Sequence, residues 1–310
     1  MRIVFFGTGE YGIPTLKRLL ESKHEVLAIV TQPDKKKGRG WNVFPTPIKA
    51  SAEKAAPHVE VLQPLKVNDA EFREHLKAKD ADLFIVIDYG QFLGKELLAL
   101  PKKFCINLHP SLLPQYRGAA PVNWAIMNGE SETGTTVFRM NERMDAGDII
   151  VQYSTKMKKD ETAPELLERL AQVGATVMMK ALDLIGTGDF EFRKQEESLA
   201  TKAPKLVKND GRIEWAKPAD VILRKIRAMQ PWPGAFTLIN GDMLKVWSAH
   251  EVPETKAVGT PGTVIDSEKF VIKAGEGIIE IDTLQLEGKR IMKKYEFLRG
   301  YDVPHGTVLG

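Results

Sequence analysis

Asn107 and His109 stand two residues apart in the stretch FCINLHPSLLPQYRGAAP, and Asp145 follows in MDAGD. The run Phe104–His109 reads as a strand, so side chains at this spacing project from one face. A carboxamide and an imidazole emerging together at the carboxyl edge of a sheet stand where α/β proteins hold their ligands. The turn that carries Asp145 can bring a carboxylate to the imidazole, completing a polar constellation suited to acid–base work. A single histidine is more often a satisfied core or surface residue, so the reading rests on the group.

Other chemistries find little support. The six histidines (His24, His58, His75, His109, His250, His305) show no metal-ligand spacing, and one cysteine cannot build a zinc cluster, so no metal is expected. Ser111 has no G-x-S-x-G elbow around it. Cys105 sits in an apolar strand without a basic neighbour, an environment in which thiols are inert.

The elements that must position these groups alternate between short apolar runs and helical patterns. RIVFF, EVLAIV, HVEVL, DLFIVI and FCINLH read as strands, with helices at Ile13–Leu20 and around Glu71–Leu76. That alternation implies an α/β fold with a doubly wound, mostly parallel sheet covered on both faces. TGTTVFRM and DIIVQYSTKM add two strands, and Ala163–Leu184 a long amphipathic helix. Beyond a helix at Ala219–Met229 the chain turns strand-rich, as expected of a smaller β-barrel. The expected organisation is a first domain over 1–189, a linker over 190–204 and a second domain over 205–310.

GTGEYG, directly behind RIVFF, spells G-x-G-x-x-G, the dinucleotide-binding pattern. A ribose-holding acid is then expected about 20 residues on, at the tip of the second strand. Thr31 and Gln32 occupy that tip, and Asp34 follows a proline among lysines. Dinucleotide binding and a tight turn that only glycine allows both remain open, with the missing acid favouring the turn.

With 310 residues, 43% hydrophobic and 27% charged, the chain has an ordinary globular composition. No apolar run approaches the roughly 18 residues of a membrane span. The start enters a strand without a signal-peptide pattern, and cysteine is scarce, so a cytoplasmic protein is expected. The net charge of +3 lies wholly in residues 201–310, with 17 Lys/Arg against 14 Asp/Glu. A second basic cluster is DKKKGRG at Asp34–Gly40. Such runs are usually solvated surface, and a polyanionic partner gains weight only if the chemistry asks for one.

NLHPSLLPQYRGAAP followed by ETGTTVFRMNERMDAGDII resembles the signature of the folate-dependent formyltransferases, which act on glycinamide ribonucleotide, methionyl-tRNA and sugar nucleotides. TQPDKKKGRG…PTPIK and APKLVKNDGRIEWAKPA…IRAMQPWPGAFT are similar to the methionyl-tRNA branch, and the likeness runs from Met1 nearly to the C-terminus. It implies a Rossmann-like formyltransferase domain with an OB-like C-terminal domain. The implied reaction moves a formyl group from 10-formyltetrahydrofolate to the α-amino group of methionine on initiator tRNA.

The same resemblance implies catalytic Asn107, His109 and Asp145. Asn107 and protonated His109 would donate to the oxyanion, and Asp145 would hold the imidazole. It implies folate contacts at Ser111, Leu112, Leu113 and Pro114, and at Ile87, Asp88, Tyr89 and Gly90. It implies tRNA contacts at Lys35, Lys36, Lys37, Arg39 and Trp41, the last stacking on a base. A monomer that binds neither DNA, membrane, metal nor NAD is expected. Asp88 departs from the pattern, which has a small residue before Tyr-Gly; its carboxylate either pairs with the pterin's amino group or narrows the pocket. NWAIMNGE fits the sugar-nucleotide branch equally, whereas QPWPGAFT and the basic tail favour tRNA. The glycines alone suggest an NAD-dependent oxidoreductase. The tail alone suggests a non-catalytic RNA-binding module, which leaves Asn107, His109 and Asp145 without a purpose.

Overall fold

A computed structural model of the chain describes residues 1–37, 42–253 and 259–310. β1 (Arg2–Gly7) is buried from Ile3 onward, as a strand covered on both faces must be. α1 (Ile13–Leu20) carries Pro14 in its first turn, where a missing N–H costs nothing. After β2 (Glu25–Val30), β3 (Lys35–Lys37) and β4 (Asn42–Phe44) form an antiparallel hairpin within a stretch that had no strand expected. α2 (Pro47–Ala55) starts behind Thr46, whose hydroxyl accepts from the Lys49 N–H. β5 (Val61–Leu62) is all that remains of the expected HVEVL strand.

α3 (Ala70–Lys77), β6 (Leu83–Ile87), α4 (Lys95–Leu98), β7 (Phe104–His109), β8 (Arg117–Gly118) and α5 (Pro121–Asn128) follow. Next come β9 (Glu132–Arg139), β10 (Ile149–Lys156), α6 (Ala163–Thr187), β11 (Lys202–Ala203) and α7 (Ala219–Ala228). The tail holds β12 (Ala235–Ile239), β13 (Asp242–Val252), β14 (Val264–Asp266), β15 (Val271–Lys273), β16 (Ile278–Leu286), β17 (Met292–Lys293) and α8 (Lys294–Gly300).

Two compact units result, one of Met1–Gly118, Glu132–Lys156 and Leu167–Ala203, the other of Ala119–Ser131, Met157–Leu166 and Pro204–Gly310. In the first, the sheet order is β10-β9-β7-β6-β1-β2-β5, parallel from β7 to β5, with β9 and β10 antiparallel. The chain builds outward from β1 through β2 to β5, then returns to the other side of β1 for β6 and β7. Strand order therefore reverses between β1 and β6, and in sheets of this kind the ligand crevice lies beyond the carboxyl ends at that point. Val4 and Phe6 pack with Leu76 of α3 and Leu97 of α4 on one face, while Leu108 lies against Gly174 of α6 on the other. Burying a side chain of this size contributes about 1.5–3 kcal/mol.

The expected linker is not free-standing up to Ala203. Arg193 bridges Ile149 of β10, and β11 pairs with β8, so these residues of the stretch find backbone partners in the first unit.

The second unit is built on an antiparallel sheet in the order β12-β13-β16-β15-β14, with β17 beside β16. Asn240 and Gly241 join β12 to β13 with positive φ values of 50° and 88°, the conformation a two-residue hairpin needs. The C-terminal residues bring the two sheet edges together: Val264 N donates to Thr307 O at 2.8 Å, and Gly310 N donates to Leu238 O at 3.1 Å. The strands thus curl toward the barrel expected from their spacing.

Candidate active site

Alternation along β7 puts Cys105, Asn107 and His109 on one face and Leu108 on the other, with Asn107 opposite Phe138 and His109 opposite Thr136 of β9. Cys105 is buried in the core, which pushes its thiol well above the ordinary range and leaves it unreactive. His109, at the strand's carboxyl end, is 5% exposed. Its Nε2 lies 2.9 Å from the Tyr116 carbonyl oxygen, and since a carbonyl can only accept, Nε2 carries the proton. Nδ1 then faces Asp145, whose Oδ2 is 3.8 Å away, within ion-pair range but beyond a hydrogen bond. The ring is therefore held by Tyr116, with the Asp145 carboxylate beside its other nitrogen. The Asn107 carboxamide is half-buried and has no hydrogen-bond partner among the described residues.

Asp145 is fixed from outside the ring. Its Oδ2 accepts from the Gly118 N–H at 2.9 Å, and its carbonyl accepts from Gln195 Nε2 at 2.8 Å. Asp88, Tyr116 and Asp145 all have positive φ (47°, 60° and 48°), a conformation uncommon outside glycine. Three such residues around one crevice are the kind of backbone strain that gathers at functional sites. Tyr116, Gly118 and Gln195 were not anticipated, because the first two act through backbone atoms and the third lies in the expected linker.

The glycine turn belongs to the same crevice. Thr8 N donates to Asp88 O at 3.1 Å, and Thr8 Oγ1 donates to Tyr89 O at 2.7 Å, tying the turn after β1 to the loop after β6. A Cβ on Gly9 would stand 1.8 Å from Asp88 Oδ2, so this glycine makes room for that carboxylate. Crowding by protein pushes the Asp88 carboxyl up to about 6, although its outer surface is open to solvent. Asp34 is engaged elsewhere: its two oxygens accept from Lys49 Nζ at 2.7 Å and Gln63 Nε2 at 2.6 Å, which hold its carboxyl below the usual range. Tyr11 reaches the end of β7 through Thr135, whose hydroxyl lies 3.1 Å from the phenol and donates to His109 O.

Of the expected folate contacts, Asp88 and Gly90 are exposed, Leu112 and Pro114 half-buried, and Ile87, Tyr89, Ser111 and Leu113 buried. Tyr89 packs edge-on against Phe6 at 5.4 Å, and its burial pushes the phenol pKa up. The Ser111 hydroxyl donates to Gln115 O at 2.6 Å, and Thr136 Oγ1 donates to Ser111 O while accepting from Leu113 N. The loop is thus internally braced.

Among the expected tRNA contacts, Lys35 is exposed on β3, directly across from Phe44, itself 48% exposed. Lys36 and Lys37 complete β3, while Arg39 and Trp41 lie outside the described residues. In the second unit Lys205, Lys208, Arg212 and Lys217 are exposed, whereas Arg224 pairs with Asp220 and Lys225 with Glu214. His250, Glu280 and Asp282 offer ligand atoms within 4.8 Å of one another. Lys294 already pairs with Glu280 and stands 3.9 Å from Asp282, supplying the positive charge a metal would bring. Among the described residues no helix is long and apolar enough to cross a membrane.

Residues 1–182 match the family model described as formyl transferase, and residues 205–302 match its C-terminal domain. A methionyl-tRNA formyltransferase of Geotalea uraniireducens is 44% identical over 312 residues, spanning 100% of this chain and 98% of that protein. One of Caldanaerobacter subterraneus subsp. tengcongensis is also 44% identical, over 311 residues and 100% of both chains. HypX from Aquifex aeolicus, solved in complex with tetrahydrofolic acid, has a TM-score of 0.66 at 22% identity, over 99% of this chain and 50% of HypX. That last likeness bears on the fold alone. Matched by both models in order and by relatives along its whole length, the chain belongs to the formyl transferase family.

Proposed function

We propose that this chain transfers the formyl group of 10-formyltetrahydrofolate to the α-amino group of methionine esterified to initiator tRNA. The observation that carries the reading is the approach of Asp145 to His109, with Asn107 on the same face of β7, in a chain 44% identical from end to end to a methionyl-tRNA formyltransferase. An α-amino group has an ordinary pKa of about 8, so a useful fraction is neutral near pH 7. The site must then supply orientation and hydrogen-bond donors more than a strong base.

Asn107 donates its free amide N–H to the formyl oxygen as negative charge gathers there. His109 keeps its Nε2 proton on Tyr116 in either ionisation state, so Nδ1 takes up and releases a proton without the ring moving. The Asp145 carboxylate, 3.8 Å from Nδ1, stands beside the nitrogen that handles this proton. As the amine nitrogen bonds to the formyl carbon, the amine gives up a proton, and a proton passes to the folate nitrogen that loses that carbon. The half-buried Leu112 and Pro114 and the exposed Asp88 and Gly90 together offer the apolar faces and polar edge that suit a flat, polar-edged ring system.

The β3–β4 hairpin, with Lys35, Lys36 and Lys37 on β3, meets the acceptor end of the tRNA, and Arg39 and Trp41 contribute to binding it. Lys205, Lys208, Arg212 and Lys217 bind its phosphates. The chain acts in the cytoplasm as a monomer. The test incubates the purified chain with 10-formyltetrahydrofolate and either charged initiator tRNA or an amino-sugar nucleotide. N-formylmethionine released from the tRNA supports the reading; formylation of the sugar alone replaces it.

A further inference from the structure

We infer that Gln195 is a positioning residue for the Asp145 carboxylate, an inference that rests on the reading of Asp145 given above. Gln195 lies in the stretch expected as a linker, 50 residues from Asp145 in sequence. Its Nε2 donates to Asp145 O at 2.8 Å and to Gly147 O at 2.7 Å. Its Oε1 accepts from Arg117 Nε at 3.0 Å and Nη2 at 2.8 Å. The partners fix which end of the amide is which: two carbonyls require donors, and a guanidinium requires an acceptor.

The two ends of this one side chain grip the two elements that aim Asp145. One end closes the Asp145–Gly147 turn, where Asp145 sits at a φ of 48°. The other holds Arg117, the residue before Gly118, whose N–H binds Asp145 Oδ2 at 2.9 Å. Arg117 is braced further by Glu197, which also binds Arg143 at 2.8 Å. Without the amide, the left-handed turn loses both bonds that hold its carbonyls inward, and relaxation swings Oδ2 away from His109. A glutamate here keeps the Arg117 contact but sets an anionic oxygen against two carbonyl oxygens.

The test compares the full chain with Gln195→Glu, Gln195→Ala, Asp145→Ala and the Gln195→Ala, Asp145→Ala double variant. In crystal structures of the first two, Asp145 Oδ2 is expected to move at least about 1 Å away from His109 Nδ1. In formyl transfer, kcat is expected to fall about tenfold or more, with KM for either substrate within about threefold. Adding Gln195→Ala to Asp145→Ala is expected to cost less than about threefold, because the residue acts through the carboxylate already removed. An unmoved turn, an unchanged kcat, or a full additive loss in the double variant overturns the inference. If Gln195→Ala does not fold, the isosteric Gln195→Glu decides it. A parent chain without formyl transfer sinks the functional reading instead, and the crystallographic comparison then judges the positioning claim alone.

Discussion

The Nε2 proton of His109 rests on the Tyr116 carbonyl oxygen at 2.9 Å, and Asp145 approaches the other ring nitrogen only to 3.8 Å. The neutral ring is therefore the Nε2–H tautomer, with Nδ1 free to take the second proton. Long-range proton–nitrogen NMR of the imidazole checks this: above the ring's titration, the proton is expected on Nε2. A neutral ring protonated on Nδ1 contradicts the assignment.

Asp88 supplies a stability effect with an unusual sign. Its folded-state pKa of about 6 lies above the ordinary carboxylate value, so the folded chain holds this proton where the unfolded chain has lost it. That contribution is full below about pH 4, the unfolded value, and is lost as pH rises through about 6. Asp88→Asn is therefore expected to melt near the parent at pH 4 and above it at pH 7.5. An equal difference in Tm at both pH values contradicts the shift.

Gly9→Ala places a methyl group 1.8 Å from Asp88 Oδ2. Such a clash typically costs about 1–3 kcal/mol. Asp88→Ala removes the opposing carboxylate, so the double variant is expected to recover most of the loss in denaturant unfolding. Strict additivity of the two changes contradicts a direct contact.

Binding of charged tRNA by the exposed cations is expected to weaken steeply with salt. Replacing Lys208 or Arg212 by Ala should lower the slope of log K against log salt by about one each. A slope near zero in the parent contradicts phosphate contacts.

The sheet was legible because RIVFF, EVLAIV, DLFIVI and FCINLH are continuous apolar runs, and such runs fit a strand buried on both faces. Asn107 and His109 were legible because period-two alternation is fixed once the strand is known. The hairpin at Lys35 was not, since three lysines carry no hydrophobic alternation to mark a strand. The Tyr116 carbonyl and the Gly118 N–H leave no trace in residue type. Gln195 looked like one more polar residue in an irregular stretch; only its folded position against Asp145 and Arg117 gives it a role.

The most direct test of the account is the single-turnover rate of formyl transfer to charged initiator tRNA by Asn107→Ala beside the parent. The free carboxamide is expected to be worth about 10²–10³ in that rate, with melting temperature little changed. A folded variant that transfers within about threefold of the parent rate contradicts the site as described.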